Sequence, residues 1–331
     1  MRISTNMIFN SGTSGILNNQ AAQLKTYNQI ATGRRVVTPE DDPVAASQVL
    51  VNIQAQEVNK RYMENQGQAK DSLKLVETQL NTTVNTMQEI LDKTIQAGNT
   101  TLNDANRSAI ATELEERLKE LVSVANSQDG NGHYLFSGYQ STVRPFNVSG
   151  TSGPYYSFDP TDLTLPANNY VSFNGDQGTR ELQVDASRQM PISESGADIF
   201  MRVRDRNGNV SNQSIFDTVQ NLVDTLKKPV ANDPVAAAAL PGEISKALDN
   251  LYASKDNAVR VRSSVGARLS ELDSLGEASS DIDVQYSSII SNLRDLDYAS
   301  ALSDLSKQQV QLQAAQKAFT TVSSLNLFSM L

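Results

Sequence analysis

Asp71-Ser72-Leu73-Lys74-Leu75-Val76-Glu77-Thr78-Gln79-Leu80-Asn81-Thr82-Thr83-Val84-Asn85-Thr86-Met87-Gln88-Glu89-Ile90-Leu91-Asp92-Lys93-Thr94-Ile95-Gln96-Ala97 carries two interleaved series at seven-residue spacing. One is Leu73, Leu80, Met87 and Thr94; the other is Val76, Thr83, Ile90 and Ala97. Alternating steps of three and four keep such positions on one side of a helix, so the stretch is an a/d seam, weakened by its threonines, that requires a partner helix.

Working outward, Gly98 and the turn-prone run Asn99–Asn103 end this helix, and a second is predicted from Asp104 to Ala125, with Ile110, Leu114, Leu118, Leu121 and Ala125 on one face. The C-terminal third mirrors the pattern. Pro241-Gly242 precedes a predicted helix from about Glu243 to Leu275, with Ile244, Leu248, Leu251, Val259, Val265, Leu269 and Leu272 as its apolar positions. Another runs from Asp281 nearly to the end. It shows Ile282, Ile289 and Leu296 at seven-residue spacing, then Leu305, Leu312 and Phe319. The nine-residue step from Leu296 to Leu305 shifts the stripe and predicts a local change of supercoil or a bend between domains.

Between these arms, from Gly130 to about Asn212, Gly, Pro, Asn, Asp and Ser crowd around short runs: Tyr134-Leu135-Phe136, Tyr155–Phe158, Tyr170–Phe173 and Leu182-Gln183-Val184. These read as strands, with Asn174-Gly175 and Asn207-Gly208 as hairpin-type turns. The expected fold is mainly α with a β insert: an antiparallel helical bundle built from both termini (arms Met1–Gln128 and Ser214–Leu331) plus a small central β domain. The expected division is 1–45 with 281–331 as a terminal helical assembly region, 46–139 with 213–280 as the bundle core, and 140–212 as the β-rich insert.

Thr32-Gly33-Arg34-Arg35-Val36-Val37-Thr38-Pro39-Glu40-Asp41-Asp42-Pro43 is the most informative connector. Gly33 suits a left-handed helix end. Thr38-Pro39 fits an N-cap followed by the first helical residue, and Asp42-Pro43 offers a second such start. Asp41 and Asp42 place negative charge where a helix N-terminus favours it.

Composition closes off several classes of function. The chain has 331 residues, no cysteine, no tryptophan and one histidine, His133. Disulfides and thiolate metal sites are excluded, and no histidine cluster is possible. A net charge of −9 opposes a nucleic-acid footprint, which needs a basic face. No apolar run is long enough to span a membrane, and the N-terminus lacks the pattern of a secretory signal peptide. Neither a nucleophile-elbow pattern nor a phosphate-binding P-loop is present, so no catalytic, metal or cofactor constellation is predicted.

Several segments resemble one family. Ile3-Ser4-Thr5-Asn6, Ala31-Thr32-Gly33-Arg34-Arg35-Val36 and Asp41-Asp42-Pro43 are similar to the N-terminal region of bacterial flagellins. Tyr134-Leu135-Phe136-Ser137-Gly138 resembles the aromatic-rich strand after the flagellin core helices, and Gln309–Leu331, with Gln316-Lys317-Ala318-Phe319, resembles the family's C-terminal helix and apolar tail. Within the family, Asp42-Pro43-Val44-Ala45-Ala46, the start Met1-Arg2-Ile3-Ser4-Thr5 and the finish Asn326-Leu327-Phe328-Ser329 favour a subunit at the hook–filament junction, with the filament subunit as the alternative.

The resemblance implies a structural axial protein without enzymatic activity or cofactor, secreted through the flagellar type III exporter. Its implied partners are the hook-side junction protein, flagellin, the filament cap protein, a cytosolic export chaperone and other copies of itself in a ring. It also implies terminal helices that stay loose until a neighbour covers their stripes. The expected assembly surface comprises Ile8, Leu17, Leu24, Leu305, Leu312, Phe319, Val322 and Leu327, with Arg34 and Asp42 on the connector.

Overall fold

The computed structural model describes residues 2–149, 170–203, 214–231 and 233–328, and their side chains except those of residues 2–6, 8 and 324–328. The elements run α1 (Arg2–Thr32), α2 (Pro43–Ala97), α3 (Asp104–Ala125), β1 (Phe146–Val148), β2 (Val171–Phe173), β3 (Glu181–Asp185), β4 (Arg188–Pro191), a π-helical turn (Ala197–Met201), α4 (Ile215–Lys227), α5 (Pro234–Arg294) and α6 (Tyr298–Phe328). The protein is therefore mainly α-helical, with two small antiparallel sheets in its middle. It divides into two compact units, Met1–Arg61 with Ser279–Leu331 and Tyr62–Ala278.

In the second unit the seam of α2 is the core. Leu73, Val76, Leu80, Thr83, Met87, Ile90, Thr94 and Ala97 are all buried to 2% exposure or less. The seam tolerates its threonines because each hydroxyl donates back to the preceding turn, Thr83 Oγ1 to Gln79 O at 2.9 Å and Thr94 Oγ1 to Ile90 O at 2.6 Å. The partners of α2 are α3, antiparallel across the Lys93–Glu113 and Arg117–Glu89 ion pairs, and α5, antiparallel across Lys70–Asp273, Arg262–Asn81 and Lys255–Gln88. Asn103 caps α3 by accepting from Asn106 N.

The middle segment shares this core. β1 pairs with β2 (Phe146 opposite Phe173), and β3 pairs with β4 with a bulge at the buried Val184. Phe136, Phe146, Phe200 and Phe216 are fully buried, and Phe146 lies 5.2–5.4 Å, centroid to centroid, from Phe173, Phe200 and Phe216. Ser214 caps α4, accepting from Phe216 N and Asp217 N. The Asp217 carboxylate accepts from Tyr170 N at 2.6 Å and ties β2 to α4; burial pushes its pKa up to about 6.

Five local expectations need correction. Tyr134-Leu135-Phe136 is not a strand: the segment turns between Gly132 (φ +82°) and Gly138 (φ +71°), leaving isolated bridges at Tyr134 and Ser137. Its aromatic and apolar residues enter the core from a turn, which a short apolar run does not distinguish from a strand. Asn174-Gly175 is not a hairpin turn, because β2 and β3 do not pair; the tight hairpin is at Ala186-Ser187, between β3 and β4. Tyr155–Phe158 and Asn207-Gly208 lie outside the described residues. Helix α5 starts at Pro234, capped by Asp233, whose Oδ1 accepts from Val235 N and Ala236 N at 3.0 Å, so Pro241 sits within the helix. It then runs unbroken to Arg294, through residues 276–280, where two stretches had been expected. Finally, Thr38-Pro39 starts a turn closed by Asp41 N donating to Thr38 O, and the helix start is Asp42-Pro43 alone.

Candidate assembly surface

Within the first unit, α1 and α6 pair antiparallel. Phe319 near the C-terminal end of α6 meets Phe9 (centroids 5.1 Å apart) and Gly12. A Cβ at Gly12 would lie 2.6 Å from the Phe319 ring, so the missing side chain makes the notch that seats it. Leu305, Leu312 and Phe319 are half-buried and share one heptad position. On α1 the matching half-buried or buried positions are Gly12, Ile16, Asn19, Gln23, Thr26 and Ile30. The arm thus finds a partner inside its own chain, contrary to the expectation of an unpartnered stripe, but the α1 side of this seam is short of apolar groups. Leu17, Leu24 and Val322 point away and stay 58%, 63% and 44% exposed. Ile8 and Leu327 belong to α1 and α6, and their side chains lie outside the described residues.

The connector 33–42 clasps the break between α5 and α6. Gly33 takes φ +68°, and a Cβ there would lie 2.8 Å from the Tyr298 hydroxyl, so both backbone and space demand glycine. Gly33 O accepts from Leu296 N (3.0 Å), and Arg35 N donates to Arg294 O (2.7 Å). The Arg35 guanidinium donates to Leu293 O at 2.7 Å, so a residue of the N-terminal arm satisfies the orphan carbonyls at the end of α5. Arg34 forms an isolated bridge with Asp295. Asp297 Oδ1 accepts from Ala299 N and caps α6. This break is the physical meaning of the nine-residue step in the apolar stripe. Sequence reasoning singled out Arg34 and Asp42 but missed Arg35, Asp297 and Gly12. The Asp297-Tyr298 step carries a capping signal that could have found the break; the Gly12 notch has no signal in one sequence.

The clasp is held by two carboxylates. Asp42 Oδ1 accepts from Ala45 N and its Oδ2 pairs with Arg35 at 3.2 Å; the bond from Ala45, then that from Arg35, holds its pKa below the usual carboxylate value. Asp41 pairs with Lys25 at 2.8 Å and accepts from Val37 N and Thr38 N. The bond from Lys25 first, then that from Thr38, lowers its pKa from 3.8 to about 2. A folded-state value below the unfolded one means a stabilising contribution that is complete above about pH 4 and lost as pH falls through about 2. The amide resonances of Val37 and Thr38 should therefore titrate near pH 2, and Asp41→Asn should abolish the transition. A midpoint near 3.8 would show that the bonds to Asp41 are not formed in solution.

No group of three or more His, Cys, Asp or Glu among the described residues could hold a metal ion, and no described helix is long and apolar enough to cross a membrane. The first unit carries nine basic and nine acidic residues and is neutral, so the second carries the whole formal charge of −9.

The family model for the bacterial flagellin N-terminal helical region matches residues 3–141. Flagellar hook-associated protein 3 of Salmonella typhimurium is 34% identical over all of this chain and 99% of its own length. A flagellin of Salmonella montevideo is 22% identical over 72% of this chain and 52% of its own length. The crystal structure of flagellar hook-associated protein 3 from Legionella pneumophila shares the fold, with a TM-score of 0.64 at 20% identity over 74% of this chain and 98% of that one. On the full-length identity, this chain belongs to the family of flagellar hook-associated protein 3.

Proposed function

We propose that the chain is a structural adaptor joining the flagellar hook to the filament, with no catalytic role and no cofactor. In this reading it leaves the cell through the flagellar type III exporter with a cytosolic chaperone. It assembles as a ring of copies above the hook-side junction protein and below flagellin and the filament cap protein. Residues 1–45 with 281–331 act as the assembly region, 46–139 with 213–280 as the bundle core, and 140–212 as the β-rich insert. Leu17, Leu24 and Val322, with Ile8 and Leu327, meet neighbours. Leu305, Leu312 and Phe319 hold the C-terminal arm on α1, and Arg34 and Asp42 belong to the clasp that sets the direction of both arms.

The observation that supports this most is the charge-neutral unit formed by both chain ends, with large apolar side chains left exposed on its outer faces, in a chain of this family. Neutral apolar helices pack side by side without accumulating charge, as an axial assembly needs. The filament-subunit reading is weaker, because flagellin aligns over little more than half its length. An epitope tag near Ser152, followed by immunogold electron microscopy, tests the proposal. Label confined to the boundary between hook and filament is expected. Label along the whole filament would make the chain a flagellin, and label absent from flagella would remove the axial role.

A further inference from the structure

The part of the first unit formed by residues 43–61 of α2 and 279–294 of α5 combines a seam of mixed polarity with large apolar side chains on its outer faces. Heptad spacing puts Ala45, Asn52 and Asn59 in one series and Val49 and Gln56 in the other, facing α5. Asn59 Nδ2 donates to Ser279 O at 2.7 Å and Gln56 Nε2 to Ser287 Oγ at 2.8 Å, so much of this seam is polar. Ile290, 6% exposed, and the half-buried Val49, Ile53, Tyr286 and Ile289 supply the covered apolar groups, and further large apolar groups lie outside. Val44, Leu50 and Val51 on α2 are 67%, 59% and 61% exposed, and Val284 on α5 is 66% exposed. Apolar side chains left outside such a seam forgo the main favourable contribution in water, burial of apolar area. The outer faces also differ in charge. At the level of the Asn59–Ser279 bond, Arg61 is exposed on α2 and Asp281 on α5, and neither has an ion pair or hydrogen bond among the described residues. Among the described residues, Lys60 beside Arg61 makes a long contact, 3.8 Å, with Glu57.

We infer that the outer face of α2 around Leu50, Val51 and Arg61 docks on the outer face of α5 around Asp281 and Val284 of a second copy of this chain. A cation on one face and an anion on the other lie at the same height along the helix pair, and both faces carry exposed apolar side chains. Because the two faces differ, the contact is head-to-tail, and repeated rotation closes a ring or winds a helix. Neutrality of the unit lets copies accumulate without net repulsion. The inference rests on the junction reading, in which copies meet around a common axis, and identifies the surface they use.

The chain has no cysteine, so a pair can be introduced cleanly. Hook–filament preparations from cells carrying Arg61→Cys with Asp281→Cys, mildly oxidised, should give a ladder of dimer, trimer and higher species. Either single variant should give no ladder. Monomer alone, from a double variant that is present in the preparation, overturns the contact while leaving the junction reading intact. Absence of the unmodified chain from the preparation overturns the junction reading and the contact with it. Charge reversal supplies an independent measurement: Arg61→Asp and Asp281→Arg should each lower the number of filament-bearing cells about tenfold, since like charges face each other in either variant, and the two together should restore it. Both residues are exposed, so circular dichroism of the monomers should be unchanged. A combined variant no better than the single ones overturns the pairing.

Discussion

Cells that lack this chain are expected to build hooks, carry almost no attached filaments and release flagellin into the medium. A hook and a filament are different helical lattices, and a filament subunit has only to match copies of itself. A joint between the lattices needs a subunit with one surface for each. Here the two chain ends combine into one neutral helical unit, while the unit that carries all the net charge, −9, is formed by the middle of the chain. Packing can then proceed through the neutral unit while repulsion between the charged ones discourages unspecific association. The check is electron microscopy of the deletion strain with an immunoblot for flagellin in the culture supernatant. Hooks that still carry long filaments would end the junction assignment. Loss of the main protein of purified filaments would replace it with the flagellin reading.

The elements that were legible before the structure are those whose pattern is periodic. The Leu73–Ala97 seam is buried at every predicted position because a heptad over several turns leaves a helix one way to cover its stripe. The same holds for Asp104–Ala125. Where periodicity gave out, so did the reading. Tyr134-Leu135-Phe136 has the composition of a strand, but the glycines on either side turn the chain, and the buried side chains are delivered by the turn. Pro241-Gly242 reads as a boundary, yet Asp233-Pro234 upstream is the better cap and start, and the helix runs through the weaker signal. The clasp lay half in view. Gly33 and Asp42 have local signatures, whereas Arg35 acts on Leu293 and Arg294, more than two hundred residues away, and no local rule predicts a capping group at that separation. In residues 43–61 and 279–294 the seam mixes Asn52, Gln56, Asn59 and Ser279 with apolar groups, so the expected stripe holds only in part: Ile289 and Leu296 are half-buried, whereas Ile282 is 42% exposed.

Phe319→Asp is expected to abolish attached filaments while the second unit stays folded. Phe319 lies between Phe9 and the notch at Gly12, and along the rest of that seam α1 offers Asn19, Gln23 and Thr26, with Ile16 and Ile30 as its large apolar groups. Few other apolar contacts are available to compensate. Removing the ring and placing a carboxylate there costs on the order of 3 kcal/mol, which is large for a pair of helices that must each gain most of their stability from packing. The monomer should lose circular dichroism from α1 and α6 but keep the cooperative thermal transition of the core that contains Leu80, Leu114 and Phe146, because those residues belong to the other compact unit. Phe319→Leu should retain filaments. Leu24→Asp gives the complementary outcome: Leu24 is 63% exposed in the monomer, so its dichroism should be unchanged, while filaments are lost if that face meets a neighbour. Normal filaments from Phe319→Asp would remove the α1–α6 seam from assembly, and normal filaments from Leu24→Asp would remove the outer face of α1. Loss of the core transition in Phe319→Asp would show that the two units do not fold independently, and the variant could then no longer be read as a local lesion.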